Sequence, residues 1–182
     1  MIDSRELRDA LGHFATGVTI ITTTDAEGQP VGVTVNSFAS VSLDPPLVLW
    51  SLAKRSYSLP AFTQASGFAI HVLASNQQAL SDRFARGAGD KFNGVDTAQG
   101  IDGIPLLPGC AAVFECSTAH QYDGGDHLIL VGRVRKLHVD DRAPLLFYRG
   151  RYASPDKDET NILNLRTNSN TAPDKVAVAA NA

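Results

Sequence analysis

The chain is short of the features that would place it in several common classes. Cysteine occurs only twice in 182 residues, as Cys110 and Cys116. A disulfide-stapled secreted framework uses more, and a structural zinc site wants about four ligands. Both cysteines are therefore read as buried free thiols sharing one face of a strand-like run. No block of Lys or Arg stands out and the formal net charge is −3. That excludes the basic stripe of a nucleic-acid groove and the basic face of an anionic-membrane binder. No apolar run approaches the roughly 20 residues of a membrane span. The opening MIDSRELRDALGHF carries acids and lacks the apolar core of a signal peptide, so a cytoplasmic protein is expected. No G-x-G-x-x-G follows a strand, no P-loop is present, and nothing matches a nucleophile elbow. His13, His71, His120, His127 and His138 include no pair at the spacing of a metal-binding helix. Neither a metal centre nor a catalytic triad is expected.

What is present is ordinary for a folded protein: 43% of residues are hydrophobic and 19% charged, enough for a core of useful size. The length suits one domain over residues 1–153. An extension over 154–182 turns polar and ends in VAVAANA. It is expected to be partly disordered, with NILNL at 161–165 its one docking candidate. Residues 4–15 have Leu7, Ala10, Leu11 and Phe14 at helical spacing behind a cap at Asp3 or Ser4. The β-branched runs 18–24 and 31–35 flank a DAEG turn and predict a hairpin. Further strands are expected at 47–52, 67–73, 110–122, 127–139 and 145–148. Short helices are expected at 58–65, with Pro60 early, and at 77–86, stopped by glycines at 87–89. Residues 90–108 read as a long excursion, and loops of that length are often functional. Hairpins outnumber βαβ units. The fold class is therefore mainly β: a six- to seven-stranded antiparallel barrel with short flanking helices.

The stretch 31–52 is where chemistry concentrates. Asn36, Ser37, Ala39, Ser40 and Ser42 lie between two apolar strands, and Pro45 and Pro46 set a turn between them. Small side chains there would let a flat polar ligand lie against the backbone; a plain corner would use the same residues. Three polar clusters stand out: Thr34, Val35, Asn36 and Ser37; 51–58, where Lys54, Arg55 and Ser56 suit a phosphate; and 81–86 with Lys91 and Phe92. Together they suit a flat, partly apolar, phosphorylated ligand. His127 follows a Gly-Gly turn and opens a strand, as a satisfied histidine or as a ligand contact. Tyr148, Arg149, Arg151 and Tyr152 would suit a second anionic, aromatic ligand or the rim of a dimer interface.

Taken in order, FATGVTIIT at 14–22, VTVNSFASVSLDPPLVLWSL at 33–52, KRSYS at 54–58, FAIHVL at 68–73, LSDRFA at 80–85, DKFNGV at 90–95, GGDHLILVGRV at 124–134 and PLLFYRGRY at 144–152 resemble the flavin reductase-like family. The resemblance covers about residues 7–152. It implies a flavin-binding split β-barrel and a homodimeric NAD(P)H:flavin oxidoreductase. Such a protein would hand reduced FMN or FAD to a separate flavin-dependent monooxygenase, with NADH or NADPH as co-substrate. It further implies that Thr34, Val35, Asn36 and Ser37 meet the isoalloxazine ring. Ser51, Leu52 and Ala53 would line the flavin through backbone. Lys54, Ser56 and Ser58 would take ribityl and phosphate groups, and Arg83, Phe84 and Lys91 would close the phosphate side. His127, Tyr148, Arg149, Arg151 and Tyr152 would meet the nicotinamide nucleotide. No acid–base catalyst is needed, because the cofactors carry the chemistry; Ser37 and His127 would act by positioning. The competing readings are a split-barrel reductase of another acceptor, such as a corrin or ferric complex, and a flavin-binding electron carrier with no NAD(P)H site.

Overall fold

The computed structural model describes residues 2–86 and 89–155. Asp3 opens the first helix: its Oδ1 accepts the N–H groups of Arg5 (2.8 Å) and Glu6 (3.1 Å), satisfying donors that the first turn leaves unpaired. Helix α1 spans Ser4–Leu11, shorter than the apolar spacing predicts. Tight turns at Gly12, His13 and Phe14 close it early. Its apolar face does not enter the core: Leu7, Leu11 and Phe14 are all exposed.

In chain order there follow β1 (Thr16–Gly17), β2 (Thr19–Thr24), β3 (Pro30–Val35), β4 (Ala39–Leu43), β5 (Pro46–Ala53), α2 (Leu59–Gln64), β6 (Gly67–Val72), α3 (Gln78–Ala85), β7 (Ala98–Gln99), β8 (Pro105–Leu106), β9 (Ala112–Gly124), β10 (His127–Val139), β11 (Leu146–Tyr148) and β12 (Arg151–Ala153). Seven of these form one sheet in the order β3-β2-β6-β9-β10-β5-β4. Every neighbouring pair in it is antiparallel. The barrel expected from the hairpin pattern is therefore present, with two differences of membership. The small-residue corner contains a strand, β4, which pairs back on β5 through the turn at Asp44 and Pro45. The segment expected as a last barrel strand instead joins β1 and β12 in a separate three-stranded sheet. The excursion 90–108 carries the short β7–β8 pair and a single 3₁₀ turn at Ile101–Gly103. Of the glycines expected to stop α3, only Gly89 falls among the described residues. The extension expected at 154–182, including 161–165, lies outside them from 156 onward.

Alternation on β5 sends Val48, Trp50 and Leu52 inward, where they meet Ile21, Phe62, Phe68, Ile70 and Leu130. The Trp50 ring stands edge-on to Phe62 (centroids 4.9 Å apart) and to Phe68 (5.7 Å), a favourable arrangement for aromatic quadrupoles. A second cluster, including Val18, Ile20, Leu73, Phe84 and Leu107, fills the space under α3 and the excursion. Cys116 belongs to the first cluster and Cys110 to the second, so the two thiols do not share a strand face: Cys110 precedes β9. Burial pushes them up to about 12 and about 11 respectively, which leaves them protonated and inert.

Two buried polar side chains fasten the excursion. His71 accepts the Leu107 N–H at Nε2 (3.0 Å), and its Nδ1–H donates to the Ile20 carbonyl (3.0 Å). Burial lowers its pKa to about 4, so the neutral ring that this pairing requires is the stable form. Glu115 takes the Ile101 N–H on Oε2 (2.7 Å) and faces His138 Nε2 with Oε1 (3.0 Å). Burial alone would raise its pKa, but these bonds and the Lys136 charge hold it below the ordinary carboxylate value. Gly32 lets α3 sit directly on β3: a Cβ there would lie 2.5 Å from Phe84 Cε1.

Candidate functional site

The split in the barrel lies where β3 runs out and β5 passes opposite. Ser37 clasps the two. The Ser51 N–H donates to Ser37 Oγ (2.9 Å), and the Ser37 hydroxyl donates to the Ser51 carbonyl (3.2 Å). The pairing of β4 with β5 begins at Ala39 opposite Leu49, short of Ser51. One side chain thus takes up the backbone pairing where the ladder stops. Beside the clasp opens a cavity of about 540 Å³, in the size range of small-molecule sites.

The cavity gathers most of the residues that the sequence singled out. Thr34, Val35, Asn36 and Ser37 line one side; Ser51, Leu52, Ala53 and Ser56 line the other; His127 stands at one end. Leu52 contributes main chain, since its side chain is in the core. Thr34 and Ser37 do not offer their hydroxyl protons to the cavity. Thr34 Oγ1 donates to the Ser81 carbonyl (2.7 Å), holding β3 to α3, and Ser37 is engaged as above. Asn36 reaches Thr16 Oγ1 through Nδ2 (3.3 Å). Beside these engaged side chains lies the backbone of β3, which has a strand partner on one side only. An edge strand carries unpaired N–H and C=O groups.

His127 is placed by the β9–β10 turn. It pairs in register with Ala53 of β5 and Gly124 of β9. Its Nδ1 lies 2.6 Å from Asp126 Oδ1, and this bond holds the exposed Asp126 carboxyl below its ordinary pKa. With Nδ1 engaged, Nε2 is the ring atom left for a ligand. Lys54 does not line the cavity. Its ammonium pairs with Asp123 and its N–H donates to the Asp126 carbonyl (2.9 Å), tying β5 to the same turn.

Beyond Ser56 lies a second cavity, of about 550 Å³, with Ser58 and Lys91 in its wall. Lys91 Nζ donates to the carbonyls of Gly32 and Phe84, both at 3.0 Å, and partial burial lowers its pKa. An ammonium has three donors, so one remains. Arg83 lines a shallower depression with Arg86 and Lys91, its guanidinium bonded to the Asn93 carbonyl (2.9 Å). The Phe84 ring does not face any cavity. It is fully buried, edge-on to Phe92 at 4.9 Å, and supports the wall from behind.

The β11–β12 hairpin stands apart from both cavities. Tyr152 donates to Asp82 Oδ1 (2.9 Å) and lies within 2.9 Å of Ser81 Oγ, so its hydroxyl fastens the hairpin to α3. Arg149, at φ 48°, and Gly150 form its turn, with Tyr148 and Arg151 exposed on either side. Motif reading passed over Val33, Gly124 and Ile129, which complete the first cavity, and Tyr57, at the rim of the second. Alternation along β3 and β10 would have found the first and third of these.

A flat ligand laid on a bare strand edge, with small residues opposite and cationic and hydroxyl groups at one end, is what this geometry fits. Known proteins that resemble the chain include several named as flavin reductases. It is 53% identical over 150 residues to the FMN reductase (NADH) SmoA of Agrobacterium fabrum, covering 82% of this chain and 85% of that one. It is 46% identical over 160 residues to the reductase component of the flavin-dependent trigonelline monooxygenase of Acinetobacter baylyi, covering 88% of this chain and 52% of that longer one. The solved structure of the Streptomyces globisporus NADH:FAD oxidoreductase SgcE6, in complex with NAD and FAD fragments, superposes with a TM-score of 0.79 at 38% identity, covering 87% of this chain and 99% of that one. The flavin reductase like domain matches residues 11–156. With the split barrel and its edge-strand cavity, that match identifies the chain as a member of the flavin reductase like domain family.

Proposed function

We propose that the protein is an NADH-dependent flavin reductase that supplies reduced flavin to a partner monooxygenase. The observation that carries the reading is the first cavity: an open β3 edge closed by Ser37 and ended by His127. When bound, flavin supplies the hydride acceptor and the nicotinamide nucleotide the hydride. The chain's own part is to place them. The β3 edge would offer its free donors and acceptors to the flavin ring, and Ser51, Leu52 and Ala53 would line it from the other wall. Ser56, Ser58 and Lys91 hold the phosphate end by hydroxyl and charge. His127, oriented by Asp126, presents Nε2 to the carboxamide of the nicotinamide. Reacting atoms held roughly 3–3.5 Å apart gain most of the rate from proximity. This accounts for a site without a general base.

A cytoplasmic setting, where NADH is supplied, fits this reading. Among the described residues no helix is long and apolar enough to cross a membrane. A homodimer accounts for the apolar side chains left outside the core, Leu7, Leu11, Phe14, Leu43 and Val139 among them. The test is to mix purified protein with NADH and FMN or FAD and follow the absorbance of the reduced nicotinamide. Steady oxidation that needs added flavin is expected, with His127→Ala raising the KM for NADH more than that for flavin. Flavin binding with no NADH oxidation would overturn the reductase reading in favour of an electron carrier.

A further inference from the structure

We propose that the flavin taken by this site is the dinucleotide FAD, whose AMP half lies in the second cavity against Tyr57. The proposal rests on the flavin reading above and extends it to the part of the ligand that motif reading leaves open. The two cavities are consecutive along the same walls. On β3, Val33 to Val35 line the first, and Val31 and Gly32 the second. On the 54–58 turn, Ser56 faces the first, and Tyr57 and Ser58 the second. A ligand whose ring lies in the first cavity and whose chain passes Ser56 enters the second.

The boundary between them suits phosphate. Ser56 Oγ accepts the Ser58 N–H (3.2 Å), so its own proton is left to donate, and Lys91 has one donor left after its two carbonyls. FMN would end at this point. The space does not: the second cavity, at about 550 Å³, matches the first at about 540 Å³. Its lining then changes character. Tyr57 stands at the rim with 80% of its surface exposed, and Pro30 and Pro60 add flat apolar surface. The lining also holds Asp25 and Glu27 of the β2–β3 turn and, next to Lys91, Asp90. Asp25 Oδ1 already accepts the N–H groups of Glu27 (3.1 Å) and Gln29 (2.7 Å), which leaves Oδ2 as an acceptor. Three carboxylates repel an anionic end group but suit the exocyclic amine of adenine. An exposed tyrosine ring is a sequence-tolerant stacking surface for a base. Phosphate donors at the boundary, with an aromatic ring and the Asp25 acceptor in the cavity beyond it, match the groups of FAD.

The experiment is equilibrium binding of FAD, FMN and riboflavin, followed by flavin fluorescence, for the wild-type protein, Tyr57→Ala and Tyr57→Phe. Stacking on one aromatic ring contributes enough to change affinity about tenfold when the ring is removed. FAD is expected to bind wild type about tenfold more tightly than FMN. Tyr57→Ala should weaken FAD about tenfold with FMN unchanged, and Tyr57→Phe should keep the preference. Because Tyr57 is exposed, its removal leaves the core intact. Equal wild-type affinities for FAD and FMN, or an equal loss for both in Tyr57→Ala, would overturn the proposal while leaving the flavin reading standing. A raised KM for NADH in Tyr57→Ala with FAD binding unchanged would also overturn it, by assigning the ring to the nicotinamide nucleotide. Failure of all three flavins to bind would remove both readings together.

Discussion

Replacing Ser37 by alanine separates two roles that the position might be given. In the structure the hydroxyl is a clasp, accepting from the Ser51 N–H at 2.9 Å and donating to the Ser51 carbonyl at 3.2 Å. Ser37→Ala removes both bonds and leaves a half-buried strand residue with unpaired backbone groups. Each intramolecular hydrogen bond contributes about 0.5–1.5 kcal/mol net, and an unsatisfied group costs about 1–3 kcal/mol. A loss of about 2 kcal/mol is therefore expected. With a urea dependence of about 2 kcal/mol per molar, the unfolding midpoint should fall by about 1 M at fixed protein concentration. The loosened split should also weaken flavin binding, with kcat at saturating flavin kept within a few-fold. If the hydroxyl instead stabilised charge building on the ring, its removal would cost about 10²–10³ in kcat with little change in stability. An unchanged urea midpoint with such a loss of kcat would refute the clasp.

Two further outcomes follow from the basic side chains His71 and Lys91 and their partners. His71 has a folded-state pKa of about 4, below its ordinary value of 6.5, so the unfolded chain takes up the proton first. The stability it contributes is complete above about pH 6.5 and is lost as pH falls through about 4. The total is about 3 kcal/mol, at about 1.4 kcal/mol per unit. Urea midpoints of wild type and His71→Gln measured from pH 7 to pH 4 should converge as the pH drops; parallel curves would contradict the assignment. Lys91→Met removes the charge beside the phosphate end, which should weaken FMN about tenfold and leave riboflavin unchanged in the binding assay. An equal loss for both ligands would show that Lys91 serves only the carbonyls of Gly32 and Phe84.

The barrel was legible because its signals are local. The β-branched run at 19–24, the turn before Pro30 and the 13-residue alternation of β10 each name a strand without help from the rest of the chain. The strand β4 escaped because Ser40 and Ser42 are turn formers by composition, and only pairing with β5 makes them a ladder. Helix α1 shows the opposite error. Its spacing is that of a core helix, yet nothing among the described residues covers it, and spacing cannot say what lies opposite. Candidate residues on the strands β3 and β5 come together around one cavity. Several at the rim have an internal partner that no motif encodes: Lys54 on Asp123, Tyr152 on Asp82 and the Phe84 ring beneath Gly32.

Those internal partners change what kind of site this is. The resemblance implies that Thr34 and Ser37 meet the ligand ring; in the structure the Thr34 proton goes to Ser81 and the Ser37 proton to Ser51. The side chains nearest the cavity are spent on holding β3 in place against α3 and β5. In the proposed function, recognition of the ring falls to the β3 backbone, whose donors and acceptors are fixed by the strand and need no reorganisation when a ligand arrives. A backbone edge reads the ring and not the tail, so it cannot by itself tell FMN from FAD. The proposal assigns discrimination to the far side of Ser56, where Tyr57, Lys91 and the acids around Asp25 line the second cavity. Exchange of those few residues would alter which flavin is held without disturbing the clasp that shapes the ring site.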